Sequence, residues 1–97
     1  MQTYIALLKY TQKGIENIKE SPARIDRAKA AFKAAGAELK TLYSVTGQYD
    51  MVIICEAPNA ETIAKLALTI GSLGSIHTET LCAFTEEEYR KIIAGLP

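Results

Sequence analysis

Two short segments of this chain, Thr3–Tyr10 (TYIALLKY) and 50–57 (DMVIICEA), carry apolar residues at both of their alternating sets of positions. A strand of that composition is stable only when both of its faces are covered, so each segment is predicted to lie in the middle of a sheet. This requirement constrains the fold more than any other feature, because the 97 residues hold only two helical segments long enough to cover a sheet. A chain of this length makes one domain, residues 1–97, and buries roughly 60–65% of its surface.

The segments between these strands have legible starts and stops. The polar turn Thr11–Gly14 leads into a short helical stretch at Ile15–Glu20, followed by Ser21-Pro22. Serine at the cap and proline in the first turn predict a helix over 22–35, with Ile25, Ala28, Phe32 and Ala35 on its apolar side and Gly36 ending it. Residues 37–46 alternate Leu39, Thr41, Tyr43 and Val45 against Glu38, Lys40, Leu42 and Ser44, the period of a strand with one wetter face. Gly47-Gln48-Tyr49 is a tight turn, and Asn59 caps a second helix over 60–73 whose Ile63, Leu66, Ala67 and Ile70 share a face. Ser75–Phe84 alternates again, with His77, Glu79, Leu81 and Ala83 on one side and Ile76, Thr78, Thr80 and Cys82 on the other. Thr85 and Glu88 stand at capping-box spacing for a C-terminal helix with an acidic first turn.

Strand, helix, strand, strand, helix, strand is the ferredoxin-like α+β order. Right-handed crossovers place the first and third strands at the centre of a four-stranded antiparallel sheet and the other two at its edges. Both helices then fall on one face. The second apolar faces of the central strands stay bare, a patch of the kind that another chain covers. The chain is therefore expected to form a homo-oligomer, at least a dimer, face to face or joined at an edge.

Composition narrows the partners. Eleven basic and eleven acidic residues give no net charge, so no field is available to hold a nucleic-acid backbone or an anionic bilayer. Met1–Tyr10 lacks the pattern of a secretory leader and no window reaches the length of a membrane span, which predicts a cytoplasmic protein. Cys55 and Cys82 lie in separate apolar runs, as buried free thiols do. One histidine, no paired-cysteine spacing and no glycine-rich phosphate loop after a strand argue against a metal or a nucleotide, and no cofactor is expected.

Three groups of residues are candidates for a site. Gly47, Tyr49 and Asp50 form the turn into the third strand, where glycine tolerates positive φ and aspartate accepts backbone amides; the same geometry could hold the Tyr49 hydroxyl and the Asp50 carboxylate at a cavity mouth. His77 and Glu79 are two apart on a strand, so they share a face and the carboxylate could orient the imidazole, either as a solvated pair or as a general base and its partner. Cys82 lies on the opposite face, which argues against a metal site with them. Tyr4, Tyr10 and Tyr43 could wall a pocket, with Lys9 or Lys13 meeting an anionic group, or could simply pack.

The stretch Val45-Thr46-Gly47-Gln48-Tyr49-Asp50, the apolar strand after it and Glu56-Ala57-Pro58 resemble the GYD family, named for its Gly-x-Tyr-Asp signature. Ser72–Leu81 (SLGSIHTETL) and Ala83–Tyr89 (AFTEEEY) extend the likeness along essentially the whole chain. The resemblance implies a dimeric α+β barrel, two sheets enclosing a cavity, and brings no agreed catalytic residues with it. The same blocks resemble the effector-binding half of the feast/famine regulators, which implies assembly and the binding of small metabolites between subunits. No helix-turn-helix segment accompanies them here, so direct DNA reading is not expected. The leading expectation is a homo-oligomeric small-molecule-binding or assembly module, with Tyr49, Asp50, His77, Glu79 and Tyr4 as ligand-binding residues. Its rival is a cofactor-independent mono-oxygenase or isomerase with His77 as base and a tyrosine hydroxyl stabilising an enolate; a dry structural oligomer is the third reading.

Overall fold

The computed structural model describes residues 1–97. Its elements run β1 (Gln2–Tyr10), α1 (Gln12–Glu16), a 3₁₀ turn (Ile18–Glu20), α2 (Ser21–Ala34), β2 (Glu38–Ser44), β3 (Met51–Ala57), α3 (Ala60–Ser72), β4 (Ile76–Ala83) and α4 (Glu86–Ala94). The sheet is antiparallel throughout, in the order β2-β3-β1-β4, with the two doubly apolar strands at its centre. No helix is long and apolar enough to cross a membrane.

The core is the set of alternate side chains that face the helices. Tyr4, Ala6 and Leu8 of β1 and Met51, Ile53, Cys55 and Ala57 of β3 are buried beneath Phe32 of α2 and Ile63 and Leu66 of α3. Each large aliphatic or aromatic side chain so buried stabilises the fold by about 1.5–3 kcal/mol. Helix ends are closed mostly as their sequences specify. The Asn59 side chain accepts from the Thr62 amide at 2.9 Å, and Thr85 and Glu88 form the reciprocal capping box. After α2, Gly36 takes φ 76°, and Gly36 and Ala37 donate to the carbonyls of Lys33 and Phe32, closing the helix C-terminus.

The start of α2 differs from expectation. Ser21 is its first residue rather than its cap, and no side chain caps the helix, because the 3₁₀ turn feeds directly into it and Ser21 already takes helical dihedrals (φ −55°, ψ −44°), whereas a capping serine is extended. The strict alternation expected of β2 also breaks. Leu39 pairs with Cys55 but Thr41 pairs with Ile54, so Lys40 is the extra residue of a β-bulge. Leu39 and Leu42 consequently both pack against the core, although a strict period of two puts them on opposite faces.

Cys55 is fully buried as expected, and burial pushes its thiol up to about 11. Cys82 is exposed, contrary to expectation, because it lies near the end of edge strand β4; the Gln2 side chain donates to its sulfur at 3.3 Å. The radius of gyration is 14.6 Å, above the about 13 Å of a compact chain this long, as α4 packs substantially against no other element.

This packing separates the two thiols chemically. A thiol reagent is expected to modify one cysteine of the native chain, and Cys82→Ser is expected to abolish that reaction. Cys55 reacts only after denaturation. Gly14→Ala places a methyl group on the Ser75 carbonyl oxygen, where backbone must shift to admit it. Urea unfolding is expected to show a loss of roughly 1–3 kcal/mol.

Candidate functional site

Register decides which side chains meet on the helix-free face. In β1, Lys9 lies opposite His77, Leu7 opposite Glu79 and Ile5 opposite Leu81; across the other edge Leu7 faces Val52 and Ile54 faces Ile5. Directly opposed residues of an antiparallel pair project to the same side, so these residues share one surface. Its centre is apolar, made by Ile5, Leu7, Val52 and Ile54, all of them half-buried, while Leu81 and Tyr43 are exposed. At the end where β1 finishes and β4 begins, the surface turns polar with Lys9, His77 and Glu79.

Tyr49 enters this polar corner from the β2–β3 connection. The connection is held by the Val45 amide, which donates to the Asp50 carbonyl at 3.0 Å, and Gly47 takes φ 119°, a conformation other residues rarely adopt. Asp50 fastens the turn to β1: its amide donates to the Leu8 carbonyl at 2.8 Å, and its Oδ2 accepts from the Tyr10 amide at 2.9 Å. One carboxylate oxygen thus serves as an extra rung of the ladder.

With the turn fixed, the Tyr49 hydroxyl donates to Glu79 Oε2 at 2.7 Å, and the Lys9 ammonium stands 5.3 Å from the centre of the Tyr49 ring. The first contact is a short charge-assisted hydrogen bond and the second is within cation–π range. The bond to Glu79, with lesser contributions from desolvation and the carboxylate's charge, raises the Tyr49 pKa above its ordinary value. The result is an ammonium, an aromatic ring and a carboxylate in sequence, with His77 directly across from Lys9. Such a corner offers separate partners for a ligand's negative and positive groups.

Of the sequence candidates, Tyr49, His77 and Glu79 come to the same face, and Asp50 lies beside them in its anchoring role. His77 and Glu79 share their face as the spacing predicts, but the hydrogen-bonded partner of Glu79 is Tyr49. Tyr4 requires correction: it lies on the helix-covered face, buried between Cys55 and Cys82, and a side chain there cannot join a site on the other side of the sheet. Desolvation, with smaller effects of the two thiols, raises its pKa. Tyr10 also packs toward the helices, and the Lys13 ammonium donates to the Leu73 carbonyl at the end of α3. Lys9 is the residue whose part sequence reasoning left undefined. Alternation groups it with Ile5 and Leu7 without saying which side of the sheet they share, and only the pairing of β1 with β4 brings it beside Tyr49.

Known proteins share both the sequence and the fold. The GYD domain family matches residues 4–93. A protein of Thermus thermophilus, named glutamine synthetase and cystathionine beta-lyase binding protein, is 35% identical over 82 residues, covering 84% of this chain and 86% of its own length. A crystal structure of a Thermus thermophilus protein superposes with TM-score 0.56 at 26% identity, over 88% of this chain and 95% of the other. A feast or famine regulatory protein from M. tuberculosis, complexed with L-methionine, superposes with TM-score 0.67 at 15% identity over 88% of this chain; the chain spans 51% of that regulator, and the likeness is one of fold. With the match covering nearly its entire length, this chain belongs to the GYD domain family.

Proposed function

We propose that this protein is a homo-oligomeric binding module that takes a small zwitterionic metabolite of the amino-acid class between paired sheets. The carrying observation is the Lys9–Tyr49–Glu79 corner at the end of an uncovered apolar sheet face. An ammonium can hold a carboxylate, and Glu79, released from or shared with Tyr49, can hold an ammonium, while Ile5, Leu7, Val52 and Ile54 offer an apolar floor for a side chain. A second sheet laid on that floor removes both from water, which strengthens the charged contacts. The regulator of the same fold that binds L-methionine supports the ligand class by analogy.

The 35% identical relative named for binding glutamine synthetase and cystathionine beta-lyase supports a second reading, in which the module docks on an enzyme of amino-acid metabolism. The two readings are compatible if the metabolite controls the docking.

Sedimentation at micromolar concentration is expected to give at least a dimer, and Ile54→Arg on the bare face is expected to reduce it to monomer. A wild-type monomer under those conditions removes the shared cavity. In a thermal-shift panel of amino acids and other small metabolites, a ligand that binds the native state raises the midpoint. Lys9→Ala and Glu79→Gln are each expected to abolish that rise; if both keep it, the ligand sits elsewhere. Ultraviolet titration tests the geometry without a ligand. The difference between wild type and Tyr49→Phe should show one tyrosine ionising above the ordinary value near 10. Because its folded-state pKa is raised, the stabilisation from this hydroxyl is complete below the unfolded pKa and is lost as pH rises through the folded one.

A further inference from the structure

On the side of the sheet away from the polar corner, residues of α2, α3 and the sheet line an apolar cleft with a cavity of about 110 Å³. Ala28 and Ala31 of α2, Ile70 and Leu73 at the end of α3 and Met51 of the sheet are among the residues that line it. Arg24 and Arg27 line it as well. Close-packed interiors rarely leave such a volume, and an apolar cavity only somewhat larger, about 150 Å³, accepts a benzene ring.

The same chain carries an unpartnered apolar ridge. Tyr89, Ile92 and Ile93 of α4, with Leu96 just beyond it, recur at i, i+3, i+4 and i+7, and each is between 44% and 60% exposed. Amphipathic helices bury such a stripe. The first turn of α4 is acidic, and although Arg90 and Lys91 pair with Glu86 at 2.9 Å and Glu87 at 3.9 Å, the helix keeps one surplus negative charge; α2 is basic, with Arg24, Arg27, Lys29 and Lys33 against the single acid Asp26. Ridge and cleft therefore match in polarity, and their helices carry net charges of opposite sign.

They do not meet within one chain. The cleft is floored by Leu8, Tyr10, Met51 and Ile76, at one end of the sheet, and α4 leaves from Ala83 at the other. The eight residues of β4 between them span about 26 Å. The longest dimension of the molecule, 51 Å, fits an α4 that continues outward from the sheet.

We infer that α4 of one copy seats its Tyr89–Ile92–Ile93–Leu96 ridge in the α2/α3 cleft of another copy. This interface lies on the helix-covered side and is independent of pairing through the bare sheet face. It joins units that the sheet face has already paired, and its acid-to-base component makes it weaken as salt rises.

Disulfide trapping in a Cys82→Ser background tests it. Two differently tagged chains, one with Ile92→Cys and one with Ala28→Cys, are mixed and oxidised. A disulfide joining the two tags, formed several-fold faster than with an Ile54→Cys partner on the sheet face, is expected. Ile92→Asp with Ile93→Asp, both at exposed positions, is expected to lower the native mass in sedimentation while helicity is retained. Preferential linkage to Ile54→Cys, a link within one chain carrying both cysteines, or an unchanged mass of the aspartate variant would each overturn the inference. Adding Ile54→Arg to both trapping chains should leave the α4–cleft link in place, so the two interfaces fail separately.

Discussion

The pairing of β1 with both β3 and β4 is the constraint on which the rest of the molecule depends. Side chains alternate with a period of two, so moving β3 by one residue would turn Ile53 and Cys55 outward, and moving β4 by one would bring Glu79 under the helices. The burial of a cluster that includes Tyr4, Leu8, Met51 and Cys55 selects one register, and that register alone places Lys9 opposite His77. Core and polar corner are thus two faces of one choice. Asp50 reinforces it at the end of the ladder, where backbone pairing is about to stop and a carboxylate supplies the acceptor that a strand otherwise would.

The corner on the open face is held by few atoms. Tyr49 bridges a cation and an anion that lie on different strands, and its own position comes from a turn closed by one backbone hydrogen bond and a glycine at positive φ. The chain has no net charge, so a ligand of the proposed class would be recognised locally rather than steered from a distance. That suits a ligand whose own charges cancel. Membership of the GYD family fixes the architecture, and the chemistry of the corner gives the family fold a ligand class to be tested.

Much of the fold was legible because its signals are local. The doubly apolar strands announced their central place, Asn59 and Thr85 announced helix starts, and Gly36 a helix end; each rests on residues within one turn of one another. What was not legible depends on partners distant in sequence. The extra residue at Lys40 is visible only against β3, and the exposure of Cys82 follows from its place near the end of edge strand β4 rather than from its apolar neighbours in sequence. Ser21 does not cap because the preceding 3₁₀ turn delivers it already in the helical conformation. For the site, the common face of His77 and Glu79 followed from their spacing, whereas the contact between Tyr49 and Glu79 crosses thirty residues and needed the register. Tyr4 could be assigned to a strand but not to a side of the sheet, since β1 is apolar on both.

The bulge in β2 has a consequence for solubility. An outer strand with regular pleating offers a free row of amides and carbonyls on which further chains could polymerise edge to edge. Here the surplus residue distorts that row, and its lysine reaches toward Glu38 at 3.8 Å and Glu56 at 3.6 Å, setting a charged, hydrated group at the rim. Lateral growth of the sheet is discouraged on this margin.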